Sequence, residues 1–285
     1  MNLRKRHEPL IEPTDIQPVI RVNPSRGDPQ ETLQSLESVR VSCKKIQWLP
    51  NAYWYDAPFS ISATQAYLTG RIYRQGAASQ LPVTYIEDED PDIILDACAA
   101  PGSKTTQLAE QFPNTPIIAT DVNNAKLKSV QNHVSRSKYE NVETHKLDAR
   151  YLDDLPYTYD VILLDAPCSG NHTQTKGFYE ERTMEDIESR TLLQQQLLDS
   201  AYAALRPGGT LLYSTCTVEP SENEGQIHEF IQYYTDMRVS PIQPRIGSNG
   251  LTSFKDNAYD ESLRGTVRVN GGETEPFYIA KLRKE

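Results

Sequence analysis

The sequence contains no run of about 18 apolar residues, which excludes a helical membrane span. Its opening stretch, MNLRKRHEPLIEP, is basic but has no apolar segment, so it does not read as a secretory leader and the protein is expected to be cytoplasmic. No CxxC pair occurs. The four cysteines, Cys43, Cys98, Cys168 and Cys216, are widely spaced, which argues against both a cysteine zinc site and a disulfide framework. None of the five histidines falls in a cluster, and no metal is expected. The dinucleotide fingerprint GxGxxG is missing, and Gly102-Ser103-Lys104-Thr105 lacks the upstream glycine spacing of a P-loop. No internal repeat is visible.

What is present is an acidic, polar chain of 285 residues with a net charge of −10 and 38% hydrophobic residues. That is enough apolar material for a core, and the length suits one large domain or a catalytic domain with an appendage. The negative charge speaks against nucleic-acid binding by the chain as a whole. It is unevenly spread, however. Residues 1–80 hold ten Lys or Arg against seven Asp or Glu, so nucleic-acid contacts are expected in the first third, with Arg21, Arg26, Arg71 and Arg74 as candidates.

The first thirty residues carry five prolines and read as extended, with a strand at Val19–Val22 and a helix at Glu31–Val39 followed by another strand. Residues 81–92, LPVTYIEDEDPD, read as a solvated acidic linker, placing a boundary between a region 1–90 and a second domain, 91–285. Beyond it, short apolar runs end at Asp96, Asp121 and Asp165, another lies at Thr210–Tyr213, and a fifth strand, Glu143–Leu147, is closed by Asp148. Helical patterns at Thr105–Phe112, Ala125–Ser137 and Glu185–Leu205 alternate with them. The last is expected to stop at a turn, Arg206-Pro207-Gly208-Gly209. This alternation predicts an α/β fold: a parallel, Rossmann-like sheet with helices on both faces, preceded by a small α+β region. Ligands of such sheets lie beyond the carboxyl ends of the strands.

Three segments sit at those ends. Asp96-Ala97-Cys98-Ala99-Ala100-Pro101-Gly102-Ser103-Lys104-Thr105 joins a strand to a helix. Its small residues allow a ligand close to the backbone, and the helix start offers amide donors. Asp121 is placed to accept from ribose hydroxyls, and Asp148 to reach an adenine ring, although either carboxylate also serves as a turn residue. Asp165-Ala166-Pro167-Cys168-Ser169-Gly170 and Ser214-Thr215-Cys216-Thr217 bring two cysteines to neighbouring strand ends. Cysteine is often only a buried hydrophobe, but two of them flanked by turn formers mark a crevice with thiol chemistry. Ser221-Glu222-Asn223-Glu224 has the form of a capping box opening a helix to about Gln232.

Taken together, DACAAPGSKTTQLA, DAPCSG, LRPGGTLLYSTCT and PSENE resemble the S-adenosylmethionine-dependent RNA 5-methylcytosine methyltransferases, often called the Nol1/Nop2/Sun family. The core of the likeness covers residues 92–235. Traces at Arg21-Val22-Asn23-Pro24, Gln75 to Ser79 and Pro276 to Leu282 extend it over most of the chain. The chain is most similar to the bacterial 16S ribosomal RNA branch, without that branch's extra N-terminal helical part and C-terminal extension.

The resemblance implies a set of roles. Cys98, Ala99, Ala100, Pro101, Gly102, Ser103 and Lys104 would wrap the methionine part of S-adenosylmethionine. Asp121 would hold the ribose and Asp148 the adenine edge, with Asp165 near the methyl donor and the target base. Lys104 would face the base as well. Cys216 would be the nucleophile and Cys168 would assist product release. Thiol chemistry alone does not say which cysteine attacks, since DNA cytosine methyltransferases use the cysteine of the Pro-Cys pair. The implied partner is RNA, ribosomal RNA before transfer RNA, with residues 1–90 as its recognition region and a monomer as the assembly. Two departures stand out. The usual glycine and basic residues after Pro-Cys-Ser-Gly are replaced by Asn171–Phe178, where only Lys176 is basic, and Gly76 stands where an acidic residue is usual. They leave open a transfer RNA substrate, or a relative that binds RNA without turning over; a methyltransferase acting on DNA is a more distant alternative.

Overall fold

The computed structural model describes residues 3–11, 16–87, 90–173 and 177–285. Four antiparallel strands form a first sheet: β1 Val19–Val22, β2 Ser42–Lys45, β3 Ala52–Asp56 and β4 Ile72–Arg74, in the order β2-β3-β1-β4. The expected strand at Val19–Val22 and a helix at Pro29–Ser38 are both present. Ile20, Val22, Leu36, Val41, Ile61 and Ile72 pack a small core beneath this sheet.

The second sheet is assembled around the predicted apolar runs. These are β5 Ile94–Asp96, β6 Ile117–Asp121, β7 Val142–Lys146, β8 Tyr159–Asp165 and β9 Leu205–Thr215. Neighbours pair in parallel in the order β9-β8-β5-β6-β7. The order reverses at β5, the point at which such sheets bind ligands. Beyond β9 the sheet turns antiparallel, which the alternating pattern did not foretell. It continues with β10 Met237–Val239, β11 Ser248–Asn249, β14 Val267–Val269 and β15 Phe277–Lys284, while β12 Ser253–Phe254 and β13 Asn257–Ala258 form a separate hairpin. The helices Met184–Ala204 and Glu224–Tyr233 cover one face. On the other face, the helix Ser103–Gln111 packs in one cluster with Val19, Ile46, Leu49 and Ala52 of the N-terminal region.

Three expectations need correction. Arg206-Pro207-Gly208-Gly209 is not a turn before the strand but a bulge within β9. Tyr159 pairs with Leu205 and Val161 with Thr210, so four residues oppose Asp160 alone. Gly208 has φ +75°, and a Cβ on Gly209 would lie 2.8 Å from the backbone oxygen of Arg206, so the bulge needs both glycines. Arg206 reaches across it to pair with Asp160. Second, Leu81–Ile86 is no solvated linker. Leu81, Val83, Tyr85 and Ile86 are buried in the shared core, and Glu87 pairs with Lys281 at 2.8 Å; Asp88 and Glu89 lie outside the described residues. Third, Ser221 does not cap a helix. The helix opens at Glu224, and Ser221 donates to Glu219 Oε1 at 2.8 Å.

Glu224, expected in that capping box, is buried and instead pairs with the buried Arg268, whose Nη1 also donates to Val218 O at 2.9 Å. Removing one member of such a pair strands the other charge in the interior. Arg268→Ala is therefore expected to cost about 3–5 kcal/mol, measured by urea unfolding; a loss below about 1 kcal/mol would show that the pair is dispensable.

Candidate functional site

β5, β6, β7 and β8 all deliver carboxylates to the same end of the sheet. Asp96 closes β5, Asp121 closes β6 and Asp165 closes β8, while Asp148 follows β7 by two residues. The turn after β5 bends sharply at Gly102, φ +107°, where a Cβ would approach Val130 Cα to 3.0 Å. The turn is pinned from both sides: Ala99 N donates to Thr120 O at 2.9 Å and Ala100 N to Asp121 Oδ2 at 3.3 Å. The Ala100–Pro101 bond is cis.

The residues expected at the cofactor are thus brought together, with differences among them. Ala99, Gly102 and Lys104 are buried, and Asp121 and Asp148 are half-buried. Burial raises the Cys98 thiol far above its ordinary value, with the surrounding carboxylates adding to the effect, so it stays protonated. Asp148 is held below its usual value by Arg150, which engages both carboxylate oxygens at 2.6–3.1 Å. Asp96 was placed at its strand end by the sequence but given no role. Its Oδ2 accepts from Thr105 Oγ1 at 2.7 Å, its Oδ1 is buried without a partner among the described residues, and burial raises its carboxyl to about 7. A close-approach turn, backbone amides, a row of acceptors and an unmatched buried oxygen suit a ligand that carries an amino acid, a ribose and an amine-bearing ring. The donor set fits S-adenosylmethionine.

The two thiols face each other beside this turn. Cys168 Sγ and Cys216 Sγ are 3.4 Å apart, from the loops that follow β8 and β9. The Cys168 thiol donating to it lowers Cys216, aided by the charge of Lys104; Cys168 is raised by the same contact and by burial. Lys104 Nζ donates to Asp165 Oδ2 at 2.7 Å and to Ser79 Oγ at 3.0 Å, and sits 5.1 Å from the centre of the Phe277 ring. Ser214 Oγ donates to the other oxygen of Asp165 at 2.7 Å. Gly76 leaves room for the Glu275 carboxylate, which accepts from Ser79 N at 3.2 Å. An acidic group is therefore present at Gly76, supplied by another segment.

Sequence reading missed the buried polar groups that hold the two cysteine loops. Glu222 accepts from Ser169 N at 2.8 Å and from Gln194 Nε2 at 3.0 Å, and the same Gln194 nitrogen donates to Pro167 O. Glu219 accepts from Arg6 Nε and Nη2, both at 2.6 Å, and lies 3.0 Å from His7 Nε2. Although burial opposes it, these contacts keep Glu219 ionised far below the usual range. The Ser221–Glu224 spacing read only as a helix cap, and nothing in it pointed to Ser169, Gln194 or Arg6. Arg21 needs the opposite correction. It is no surface contact but a buried group whose guanidinium binds Glu110, Thr106 and Gln75. Lys176 lies outside the described residues.

Burial raises Glu222 from 4.5 to about 7. A carboxyl raised on folding is protonated in the folded state between those values. Its contribution to stability is therefore complete below the lower value and is lost as pH rises through the upper one. Thermal unfolding from about pH 4 to pH 8 is expected to show a falling midpoint in the wild type and a shallower fall in Glu222→Gln, with Asp96 supplying the remainder. Superimposable curves would remove Glu222 as a source of the dependence.

The 16S rRNA methyltransferase RsmB/F family model matches residues 83–283. The tRNA (cytosine(49)-C(5))-methyltransferase of Pyrococcus abyssi is 33% identical over 94% of this chain and 88% of its own length. Ribosomal RNA small subunit methyltransferase F of Aeromonas salmonicida is 32% identical over 93% of this chain, which spans only 57% of that protein. The structure of NSun6 from Pyrococcus horikoshii with SFG superposes with a TM-score of 0.83 at 26% identity, covering 99% of this chain and 94% of that one. Fold and site thus define an S-adenosylmethionine-dependent methyltransferase. The chain belongs to the 16S rRNA methyltransferase RsmB/F family, whose named relatives include RNA cytosine-C(5) methyltransferases. Among the described residues no helix is long and apolar enough to cross a membrane, and no group of three or more potential metal ligands is found.

Proposed function

We propose that this chain transfers a methyl group from S-adenosylmethionine to carbon 5 of a cytosine in ribosomal RNA, in the cytoplasm, through a covalent link between Cys216 and carbon 6. The observation that carries this reading is the thiol pair at 3.4 Å beside the Lys104–Asp165 ion pair. Carbon 5 of cytosine is too weak a nucleophile to be methylated unaided. Addition of the Cys216 thiolate to carbon 6 gives carbon 5 enamine character. A thiol suits this task because it attacks well and leaves well. The bound cofactor supplies an electrophilic methyl group. Residues Cys98 to Lys104 hold its methionine part, Asp121 its ribose and Asp148 its adenine edge, the last sharing its carboxylate with Arg150.

Lys104 and Asp165 orient the base. Loss of the carbon 5 proton and of the Cys216 sulfur restores the aromatic ring, and Cys168 assists that release. The target nucleotide must be unpaired or turned out of its helix to enter the crevice. Residues 1–90 serve as the RNA-recognition region of a monomer.

A second substrate reading is transfer RNA, supported by the likeness to the Pyrococcus abyssi tRNA (cytosine(49)-C(5))-methyltransferase, 33% identical over 94% of this chain. Incubation with labelled S-adenosylmethionine and bulk RNA from a strain lacking the gene, followed by nucleoside analysis of each RNA species, decides between them. Label in 5-methylcytidine is expected. Its absence from a folded, cofactor-binding protein would leave an RNA-binding relative that does not turn over.

A further inference from the structure

Five basic side chains, Arg26, Arg71, Arg74, Arg136 and Lys138, form no ion pair and no side-chain hydrogen bond among the described residues. Arg74 and Lys138 are exposed and the other three half-buried. They meet along one seam, where the β1–β4 sheet backs onto the last turns of the helix Asn124–Ser137. Gly70 lies against Arg136 O and Ser137 Cα, and Asn23 Nδ2 bridges Gly70 O and Tyr139 OH. The Arg136 guanidinium stacks 3.9 Å from the centre of the Tyr67 ring, and its Nε and Nη2 are buried with no hydrogen-bond partner among the described residues.

Two cavities run along the seam. One, of about 400 Å³, is lined by Tyr67, Tyr73, Arg74, His133 and Pro101; the other, of about 430 Å³, by Arg26, Lys138 and Tyr139. Pro101 belongs to the turn that receives the cofactor, so the first cavity adjoins the catalytic cleft. The carboxylates at the borders have other partners. Glu110 binds Arg21 and Tyr139, and Glu275 binds Ser79 and Thr274. Glu140 alone adds an acidic group to the second cavity.

In a chain of net charge −10, five uncompensated cations set among tyrosines call for a polyanion. We propose that this seam is the track along which the substrate RNA leads away from the target cytosine, from the first cavity beside the cleft to the second at the amino ends of β6 and β7. Arg26, Arg71, Arg74 and Lys138 contact its phosphates while Arg136, covered by Tyr67, adds its charge from beneath, and both sides of the seam, N-terminal sheet and catalytic-domain helix, take part. The inference rests on the RNA reading above.

The test compares wild type with the triple variant Arg26→Gln, Arg74→Gln, Lys138→Gln. Affinity for transcribed ribosomal RNA fragments and transfer RNA is measured across a salt series, together with S-adenosylmethionine binding and the unfolding midpoint. The variant is expected to bind RNA at least about tenfold more weakly at low salt. Its log–log salt slope should be shallower by about 2 to 3, since each lost phosphate contact removes roughly 0.7–0.9 from it. Cofactor binding and midpoint should be unchanged. A matched triple, Arg190→Gln, Arg238→Gln, Arg264→Gln, should leave affinity and slope near wild type; an equal loss there would reduce the effect to net charge and overturn the seam. Unaltered affinity and slope in the first variant would also overturn it while leaving the RNA reading intact. Failure of the wild type to bind either RNA would overturn that reading and, with it, this inference.

Discussion

Cys216→Ser is expected to lower methyl transfer by about 10³-fold or more, with S-adenosylmethionine binding unchanged, because the reaction proposed here has no other way to activate carbon 5. A hydroxyl in the same place is far less ionised than a thiol lowered by its neighbour and is a poorer leaving group. The measurement is single-turnover formation of 5-methylcytidine. Its outcome also discriminates between the two thiols, since either sulfur of a pair 3.4 Å apart could in principle face the base. Full activity in Cys216→Ser, with activity lost in Cys168→Ser, would transfer the nucleophile to the Pro-Cys loop and recast the site in the manner of DNA cytosine methyltransferases.

Cys168→Ala is expected to have an equally large effect of a different kind: turnover stops, and the protein accumulates as a covalent adduct with RNA. If Cys216 attacks and Cys168 serves release, removing the second thiol leaves the first bonded to the methylated base. A slow-migrating protein–RNA band on a denaturing gel, dependent on S-adenosylmethionine and absent from the double variant with Cys216→Ser, is the expected result. A folded Cys168→Ala protein that turns over normally without an adduct would confine Cys168 to shaping the site, where its sulfur hydrogen bonds to Cys216.

The central strands were legible because burial on both faces writes them as apolar runs, Ile94–Asp96 and Tyr159–Asp165 among them, each ending in the aspartate that the fold presents at the crevice. The two thiols were legible for a different reason: turn-forming neighbours marked them as strand ends. Much of what the sequence concealed depends on partners distant in the chain. Nothing local to Glu222 announces Ser169 and Gln194, nothing near Glu224 announces Arg268, and Arg21 looked like surface charge until Glu110 was placed beside it. The antiparallel side of the sheet was hidden similarly, because β15 pairs with β9 across a long separation and its segment reads as any apolar strand. The bulge at Arg206–Gly209 was misread because proline and glycine punctuate turns and bulges alike.

The clamp of Arg6 and His7 on Glu219 joins groups 213 and 212 positions apart in the chain, three residues beyond Cys216. Contacts that close so long a loop carry a large entropic cost and form after local ones. The loop behind the proposed nucleophile is therefore expected to take its final shape late in folding, so that recovery of helical signal on refolding precedes recovery of catalysis by the time Arg6 and His7 need to close on Glu219.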